Sequence, residues 1–157
     1  MIGLLFFYSK HISLFTDESN FRLSTMTNKE FSRLPTNVVP RVYHLHLTPN
    51  FESFKFDGSV QIEVEVVEAT NEIVMNAAEL EIKSATVGGV DAKFELNEET
   101  EKLVLTLPKA LQAGKHTVSI EFVGTHNDNM KGFYRTKSKN QDGVDEWSFV
   151  TQFAAWL

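Results

Sequence analysis

The sequence contains no cysteine among its 157 residues, which excludes disulfide bonds, thiolate zinc sites and cysteine nucleophiles. It is also short of basic residues, because 15 Lys and Arg face 21 Asp and Glu and leave a net charge of −6 at pH 7. A general nucleic-acid binder needs a positive surface to neutralise phosphates, so we expect no nucleic-acid partner. The lack of cysteine fits a reducing compartment, and we predict a cytoplasmic location.

A long hydrophobic run is absent as well. The apolar segment 2–8 is followed closely by Lys10 and His11, whereas a spanning helix needs about 20 apolar residues. No basic residue precedes this segment and no small-residue cleavage site follows it, so it makes a poor secretory signal. We therefore predict no membrane span and interpret residues 1–32 as a flexible amino-terminal extension. Met26 is a possible alternative start site, which would make the residues before it an addition from another exon or from the gene model.

What remains has the composition of one globular domain, with 42% hydrophobic and 23% charged residues. A chain of this length can bury roughly 70% of the surface that its unfolded form exposes, which suffices for a core without disulfides. Thirteen phenylalanines contribute much apolar area that must be covered, either internally or by a partner.

From residue 34 onward, apolar and polar residues alternate with the period of two that is typical of strands with one buried face. The pattern is strictest in three segments, 60–66, 103–107 and 118–122. Five further segments are also predicted to be strands: 42–48, 72–76, 80–87, 92–96 and 146–153.

Turn signals separate these predicted strands, among them Asp57-Gly58, Gly88-Gly89 and the segment 140–143. About eight short strands without a long amphipathic helix predict an all-β fold. The residues alone leave two architectures open, an antiparallel sandwich and an open barrel-like sheet.

His44 and His46 lie two residues apart on the predicted strand 42–48, so both side chains project from the same face. This is the spacing of a two-histidine metal clamp, but a metal site needs a third ligand and supporting groups, and none lies nearby in sequence. We therefore interpret the pair as ordinary strand residues. None of the five histidines is followed by Glu, so the H-E-x-x-H motif of zinc metallopeptidases is absent and we predict no metal site in this chain.

Two groups of acidic residues are the other candidates for chemistry, and they comprise Glu63, Glu65 and Glu68, and Glu98, Glu99 and Glu101. A solvated sheet face and a hairpin tip explain them better than a catalytic carboxylate pair, because no apolar surroundings are indicated for them. A G-x-S-x-G nucleophile elbow is missing, and Gly88-Gly89 precedes a strand instead of the helix of a phosphate loop. The residues thus show no complete catalytic constellation.

The closing strand is unusual because both of its faces are partly apolar. One face carries Trp147, Phe149, Thr151 and Phe153, and the other carries Ser148, Val150 and Gln152. We expect both faces to be covered. This pattern suggests a domain whose natural neighbour is missing, although an apolar tail, residues 154–157, folded back on its own sheet is the simpler alternative.

Several stretches resemble a known family in order and spacing. They are Arg33-Leu34-Pro35, Tyr43-His44-Leu45-His46-Leu47-Thr48-Pro49, Phe56-Asp57-Gly58, Ala69-Thr70-Asn71-Glu72-Ile73-Val74-Met75-Asn76, Phe122-Val123-Gly124, Met130-Lys131-Gly132-Phe133-Tyr134-Arg135 and Thr151-Gln152-Phe153. They are similar to segments of the zinc aminopeptidases of the aminopeptidase N type, in particular the puromycin-sensitive group, and they cover residues 33–153.

The resemblance implies that residues 33–153 form the amino-terminal β domain of such an enzyme, a saddle-like sheet that packs on a thermolysin-like catalytic domain. By the same resemblance, zinc belongs to the full-length family and is not expected in this domain. The resemblance also implies that the domain contributes to the pocket for the amino terminus and first side chain of a peptide, and Gln152 matches the family glutamine that does so. The family usually has Glu where this chain has Ala154, and we interpret residues 154–157 as a non-family tail.

The family's catalytic motifs, Gly-Ala-Met-Glu-Asn and H-E-x-x-H, are absent. Without metal ligands no water is activated for peptide attack, so we predict no catalytic residue here and a truncated domain that is inactive alone, with the missing catalytic domain as its partner. Two alternatives stay open. One is an incomplete record of a full-length zinc aminopeptidase that removes amino-terminal residues from peptides. The other is a free-standing β interaction module that binds another protein through its exposed sheet face.

Overall fold

A computed structural model describes residues 3–6, 33–130 and 132–152, and these residues form eleven strands and no helix. The strands are β1 Gly3–Phe6, β2 Val38–Asn50, β3 Lys55–Val66, β4 Thr70–Ala78, β5 Leu80–Val87, β6 Val90–Asp91, β7 Lys93–Asn97, β8 Lys102–Leu111, β9 Gly114–Thr125, β10 Gly132–Lys139 and β11 Asp145–Gln152. The predicted all-β class is therefore confirmed. Residues 3–6 belong to the predicted extension, whose remainder up to residue 32 lies outside the described residues, as do Phe153 and the predicted tail 154–157.

The strands form two larger sheets and one hairpin. The five-stranded sheet has the order β2-β3-β9-β5-β6, the four-stranded sheet has the order β1-β4-β8-β7, and β10 pairs only with β11. Every pairing between these strands is antiparallel. Of the two architectures that the sequence left open, the structure has a sandwich with a separate hairpin.

One hydrophobic core lies between the two larger sheets. On β3 the residues at even positions from 60 to 66 are buried while their odd neighbours face outward. Ile62 of β3 and Ile120 of β9 share this core with Ile73 of β4 and Leu105 of β8. The period-two pattern of the sequence thus places one apolar face of each sheet against the other, which excludes water from both.

Two glycines make room for aromatic rings inside the core. Asp57-Gly58 is predicted to be a turn, and that prediction is wrong, because both residues lie within β3. Gly58 pairs with Phe122, and Phe56 pairs with Gly124 on β9. A Cβ atom built on Gly58 would lie 2.3 Å from the Phe122 ring, and one on Gly124 would lie 2.1 Å from the Phe56 ring. Each glycine is therefore needed where the opposite ring lies over the strand.

Gly88 and Gly89 form the predicted turn, which joins β5 to β6 with φ values of 58° and 79°. This left-handed conformation is accessible to glycine without steric cost. The described part of the chain contains no helix that is long and apolar enough to cross a membrane.

Candidate functional site at the β10–β11 hairpin

The predicted substrate-binding residue, Gln152, lies on the hairpin formed by β10 and β11. The register pairs Gly132 with Gln152, Phe133 with Thr151 and Arg135 with Phe149 across the hairpin. Directly paired residues project from the same face of a sheet. The hairpin therefore has an inner face, which carries Phe133, Arg135, Lys137, Trp147 and Phe149, and an outer face, which carries Tyr134, Val150 and Gln152.

The inner face is held against the sandwich by stacked rings. Phe149 stacks on His126 with 3.8 Å between ring centroids and an angle of 2° between the planes, and it stacks on Phe51 at 4.1 Å. Phe133 meets His126 edge to face at 4.5 Å and Phe56 at 5.2 Å. These contacts fix the hairpin to the end of the sandwich where β2 turns into β3.

His126 is the buried polar residue of this cluster, with 1% of its surface exposed. Neither ring nitrogen has a hydrogen-bond partner among the residues that the structure describes. Burial lowers the pKa of the imidazole. The Phe54 carbonyl, which accepts the His126 backbone N–H at 2.8 Å, opposes that pKa shift, and the positive charge of Arg135 reinforces it. The lowered pKa favours the neutral form of this imidazole between the aromatic rings.

A role for His126 was not predicted from the sequence, although a signal for its position was present. Val118, Ile120 and Phe122 alternate along β9 on the buried face, and the same period of two leads through Gly124 to His126. Continuing the alternation past the glycine would have placed the imidazole in the core.

Gln152 lies on the outer face of the hairpin, is exposed and ends β11. Its partner across the hairpin is Gly132, which is buried, whereas Gln152 itself is exposed. A primary amide can both donate and accept hydrogen bonds without adding charge. An exposed amide of this kind can form hydrogen bonds with a polar group of a ligand.

The expectation that both faces of the closing strand are covered is wrong for the described residues. Ser148, Val150 and Gln152 on the outer face are exposed, and only Phe149 on the inner face is partly buried. The reason is that β10 and β11 form a two-stranded sheet that joins neither larger sheet, and only its inner face packs its rings on the sandwich.

His44 and His46 project together from the outer face of the five-stranded sheet, as expected. The structure also brings Glu63 within 3.3 Å of His44 Nε2, a neighbour across the strands that spacing in sequence did not reveal. His46 Nε2 lies 3.3 Å from Thr48 Oγ1. No group of three His, Asp or Glu residues that could hold a metal occurs within the described ranges. The donor set therefore does not fit the zinc that the resemblance implies for the full-length family.

The acidic residues occupy the solvated positions that the sequence indicated. Glu65 accepts a hydrogen bond from Arg41 Nε at 3.0 Å on the outer sheet face. The segment 98–101 forms the tip between β7 and β8, where Asn97 Oδ1 accepts the Thr100 N–H at 2.8 Å. These contacts are those of an exposed sheet face and a hairpin tip.

Comparisons with known proteins agree with the resemblance found in the sequence. The family model described as the Peptidase M1 N-terminal domain matches residues 39–156. A puromycin-sensitive aminopeptidase of Caenorhabditis elegans is 35% identical over 130 residues, which are 79% of this chain and 14% of that protein. The mitochondrial aminopeptidase 2 of Saccharomyces cerevisiae is 35% identical over 152 residues, covering 88% of this chain and 16% of its own length. Aminopeptidase M1 of Arabidopsis thaliana is 37% identical over 130 residues, or 77% of this chain and 15% of the plant protein. The chain thus spans about a seventh of the length of these relatives.

Proposed function

Because the chain belongs to the M1 peptidase family, whose amino-terminal domain it matches, we propose that it forms the β side of a peptide-binding pocket. In this proposal Gln152 contacts the free amino terminus of a peptide. The hydrolytic step belongs to a separate catalytic domain, which holds the zinc of the family.

One observation carries this proposal. Gln152 ends β11 on the outer face of the hairpin and is exposed, although its cross-strand partner Gly132 is buried. The amide oxygen can accept a hydrogen bond from a peptide ammonium group, while the amide nitrogen can donate one to a peptide carbonyl. The backbone that carries Gln152 is held in place because Phe149 and Phe133 fix the inner face of the same hairpin to His126. A glutamine in an ordinary loop would lack this support.

The proposal assigns no hydrolysis to the chain alone. Its sequence contains no H-E-x-x-H motif, and activation of water by zinc needs three protein ligands with an open position. The test is an aminopeptidase assay of the purified 157-residue protein with added zinc and leucine p-nitroanilide. We expect no turnover above the buffer control. Turnover that co-purifies with the protein through successive columns and disappears in a His44→Gln, His46→Gln variant would contradict this part of the proposal.

The role of Gln152 is tested separately by a titration followed by nuclear magnetic resonance. The probes are the tripeptide Leu-Gly-Gly and the same peptide with an acetylated amino terminus. We expect the side-chain amide signals of Gln152 to shift with the free amine and not with the acetylated peptide. Gln61, which is exposed on β3, provides an internal control whose signals stay in place. Equal shifts with both peptides, or at both glutamines, would contradict recognition of the amino terminus.

We also propose a cytoplasmic location, which the absence of cysteine supports. One relative carries a mitochondrial name, so fractionation of cells that express a tagged chain is the appropriate test. Recovery of the tag in the mitochondrial fraction would contradict the cytoplasmic location.

A further inference from the structure

Arg135 lies on the inner face of the hairpin between two aromatic rings. Its Cζ atom is 4.4 Å from the centroid of the Phe54 ring and 5.1 Å from that of Trp147. The two rings meet edge to face at 5.2 Å. A guanidinium held against aromatic faces is attracted to the ring quadrupoles and has its plane fixed. We call these three residues the Arg135 site.

The guanidinium has no anionic partner among the described residues. Its Nε atom is buried without a hydrogen-bond acceptor, whereas the terminal nitrogens are not among the buried unpartnered atoms. Two other cations have carboxylate partners, since Arg41 pairs with Glu65 and Lys137 pairs with Asp145 at 2.7 Å. The terminal nitrogens of Arg135 are therefore the part of the group that is open to a ligand.

The backbone under the Arg135 site is strained. Phe54 has a φ of 52°, a left-handed conformation that is rare for a bulky residue. It is stabilised by the hydrogen bond between its carbonyl and the His126 backbone N–H. Such strain persists only where the surrounding contacts fix it, and it tends to occur at ligand sites. Here it places the Phe54 ring against the guanidinium.

The charge around the Arg135 site is positive although the chain as a whole is negative. Arg135, Lys137 and Lys139 project from one face of β10, and Asp145 is the single acidic residue paired with this row. The chain has a net charge of −6 at pH 7. This local excess of positive charge therefore favours binding of an anion although the protein as a whole repels anions.

From this geometry we propose that the Arg135 site binds a carboxylate side chain of a partner polypeptide. The terminal nitrogens of a guanidinium match the two oxygens of a carboxylate. Trp147, which borders the site, keeps 39% of its surface exposed, and Arg together with Trp is the composition typical of energetic hot spots in protein interfaces. The Arg135 site lies on the inner face, whereas Gln152 lies on the outer face, so this interaction is independent of peptide recognition at Gln152.

The proposal is tested with two short peptides, acetyl-Glu-Leu-Glu-Leu-amide and its twin acetyl-Gln-Leu-Gln-Leu-amide. Binding to the full chain is followed by nuclear magnetic resonance at the Arg135 Nε–H and at the Trp147 indole N–H, which is assigned with a Trp147→Phe variant. We expect both signals to shift with the acidic peptide only. Arg135→Gln should weaken binding at least about tenfold, because it removes a charge-assisted bidentate contact.

Two further variants keep the test decisive. Arg135→Lys retains the charge and should bind with intermediate affinity, since an ammonium cannot form the planar paired contact. Lys93→Gln removes an exposed cation on β7 and should bind as the original chain does. Equal binding by Arg135→Gln and the original chain, when circular dichroism shows both folded, would overturn the proposal. Equal binding of the two peptides, or a response to phosphatidylserine vesicles without a response to the acidic peptide, would overturn it too.

Discussion

At the scale of single residues, the pairs formed by Gly124 with Phe56 and by Gly58 with Phe122 decide how β3 and β9 pack. All four residues lie on the buried face of two neighbouring strands. The rings of Phe56 and Phe122 meet edge to face at 6.4 Å. Each ring lies over the glycine of the opposite strand. Any residue with a Cβ atom at Gly58 or Gly124 would clash with that ring.

Gly124→Ala should therefore destabilise the fold. The new methyl group would lie 2.1 Å from the Phe56 ring, and overpacking of a core typically costs about 1 to 3 kcal/mol. Urea unfolding gives the free energy, and Ser59→Ala, on the exposed face of β3, is the matched control. If the clash is the cause, Phe56→Leu combined with Gly124→Ala will lose less than the sum of the single variants. Strict additivity would contradict this explanation.

His126 makes the stability of the fold depend on pH. Burial lowers its pKa in the folded chain, whereas the unfolded chain has the ordinary value near 6.5. Below pH ~6.5 the imidazole of His126 binds a proton more readily in the unfolded state than in the folded state. The free energy of unfolding therefore falls as the pH falls. The slope from this residue is at most about 1.4 kcal/mol per pH unit.

His126→Phe should remove this contribution, because a phenyl ring can occupy the stack on Phe149 and cannot be protonated. Urea unfolding at intervals between pH 5 and 8 measures the slope. Gln61→Ala, at an exposed position of β3, is the control and should leave the slope unchanged. If His126→Phe keeps the slope of the original chain below pH ~6.5, then the imidazole is not its source.

At the scale of elements, the tip of the β10–β11 hairpin is organised by one side chain. Asn140 Oδ1 accepts the backbone N–H groups of Asp142 at 3.0 Å and Val144 at 2.9 Å, and Asn140 Nδ2 donates to Glu146 at 3.0 Å. Gly143 supplies the left-handed residue of the turn, with a φ of 77°. An asparagine is suited to such a turn because its short amide can satisfy the local backbone donors.

Asn140→Ala should loosen this tip without unfolding the sandwich, because the tip lies at the far end of the hairpin from the ring stack of Phe149. We expect amide hydrogen exchange to become faster between residues 137 and 146, while exchange in β3 stays the same. Gln141→Ala, a change to an exposed neighbour, is the control and should leave exchange at the tip unaltered. Uniformly faster exchange over the whole chain would show that Asn140 supports the global fold instead.

The strands show which parts of the structure are readable from the sequence. The predicted segment 80–87 coincides with β5, and seven further predicted segments fall on β2, β3, β4, β7, β8, β9 and β11. Strand β10 was missed because Arg135, Lys137 and Lys139 occupy its inner face, so polar residues stand where an apolar alternation would be sought. The register between two strands leaves no local pattern in the sequence. The short distance between Glu63 and His44 depends on the register of β2 with β3, so it could not be predicted.

Only part of the candidate site could be predicted from the sequence, because contacts between distant strands leave no local pattern. Gln152 was found through resemblance to a family, since a single amide on a strand carries no chemical pattern of its own. The ring stack of His126 and Phe149 joins residues from β11 and from the segment after β9, and the contact of the Arg135 guanidinium with the Trp147 ring depends on the register of β10 with β11. Such contacts between elements are not visible in periodicity along one segment.

At the scale of the whole molecule, the β domain has a buried core between its two larger sheets and a hairpin with one packed and one exposed face. The larger sheets share one core, while the hairpin adds an inner face fixed by aromatic rings and an exposed outer face with Gln152. The chain spans 14% to 16% of the length of the related aminopeptidases from Caenorhabditis elegans, Saccharomyces cerevisiae and Arabidopsis thaliana.

The response of the whole chain to zinc separates this account from one in which the domain itself holds the metal. A ligand that binds only the folded state adds about 2.7 kcal/mol at a hundredfold excess over its Kd, so a genuine site would raise the temperature of unfolding visibly. We expect no increase, because His44 and His46 contact only Glu63 and Thr48 and form no three-ligand group with other described residues. Thermal scans with zinc and with zinc plus a chelator make the measurement. A rise with zinc that is abolished both by the chelator and by His44→Gln combined with His46→Gln would show that the two imidazoles take up the metal, and the separation of this domain from the zinc chemistry of the family would then be wrong.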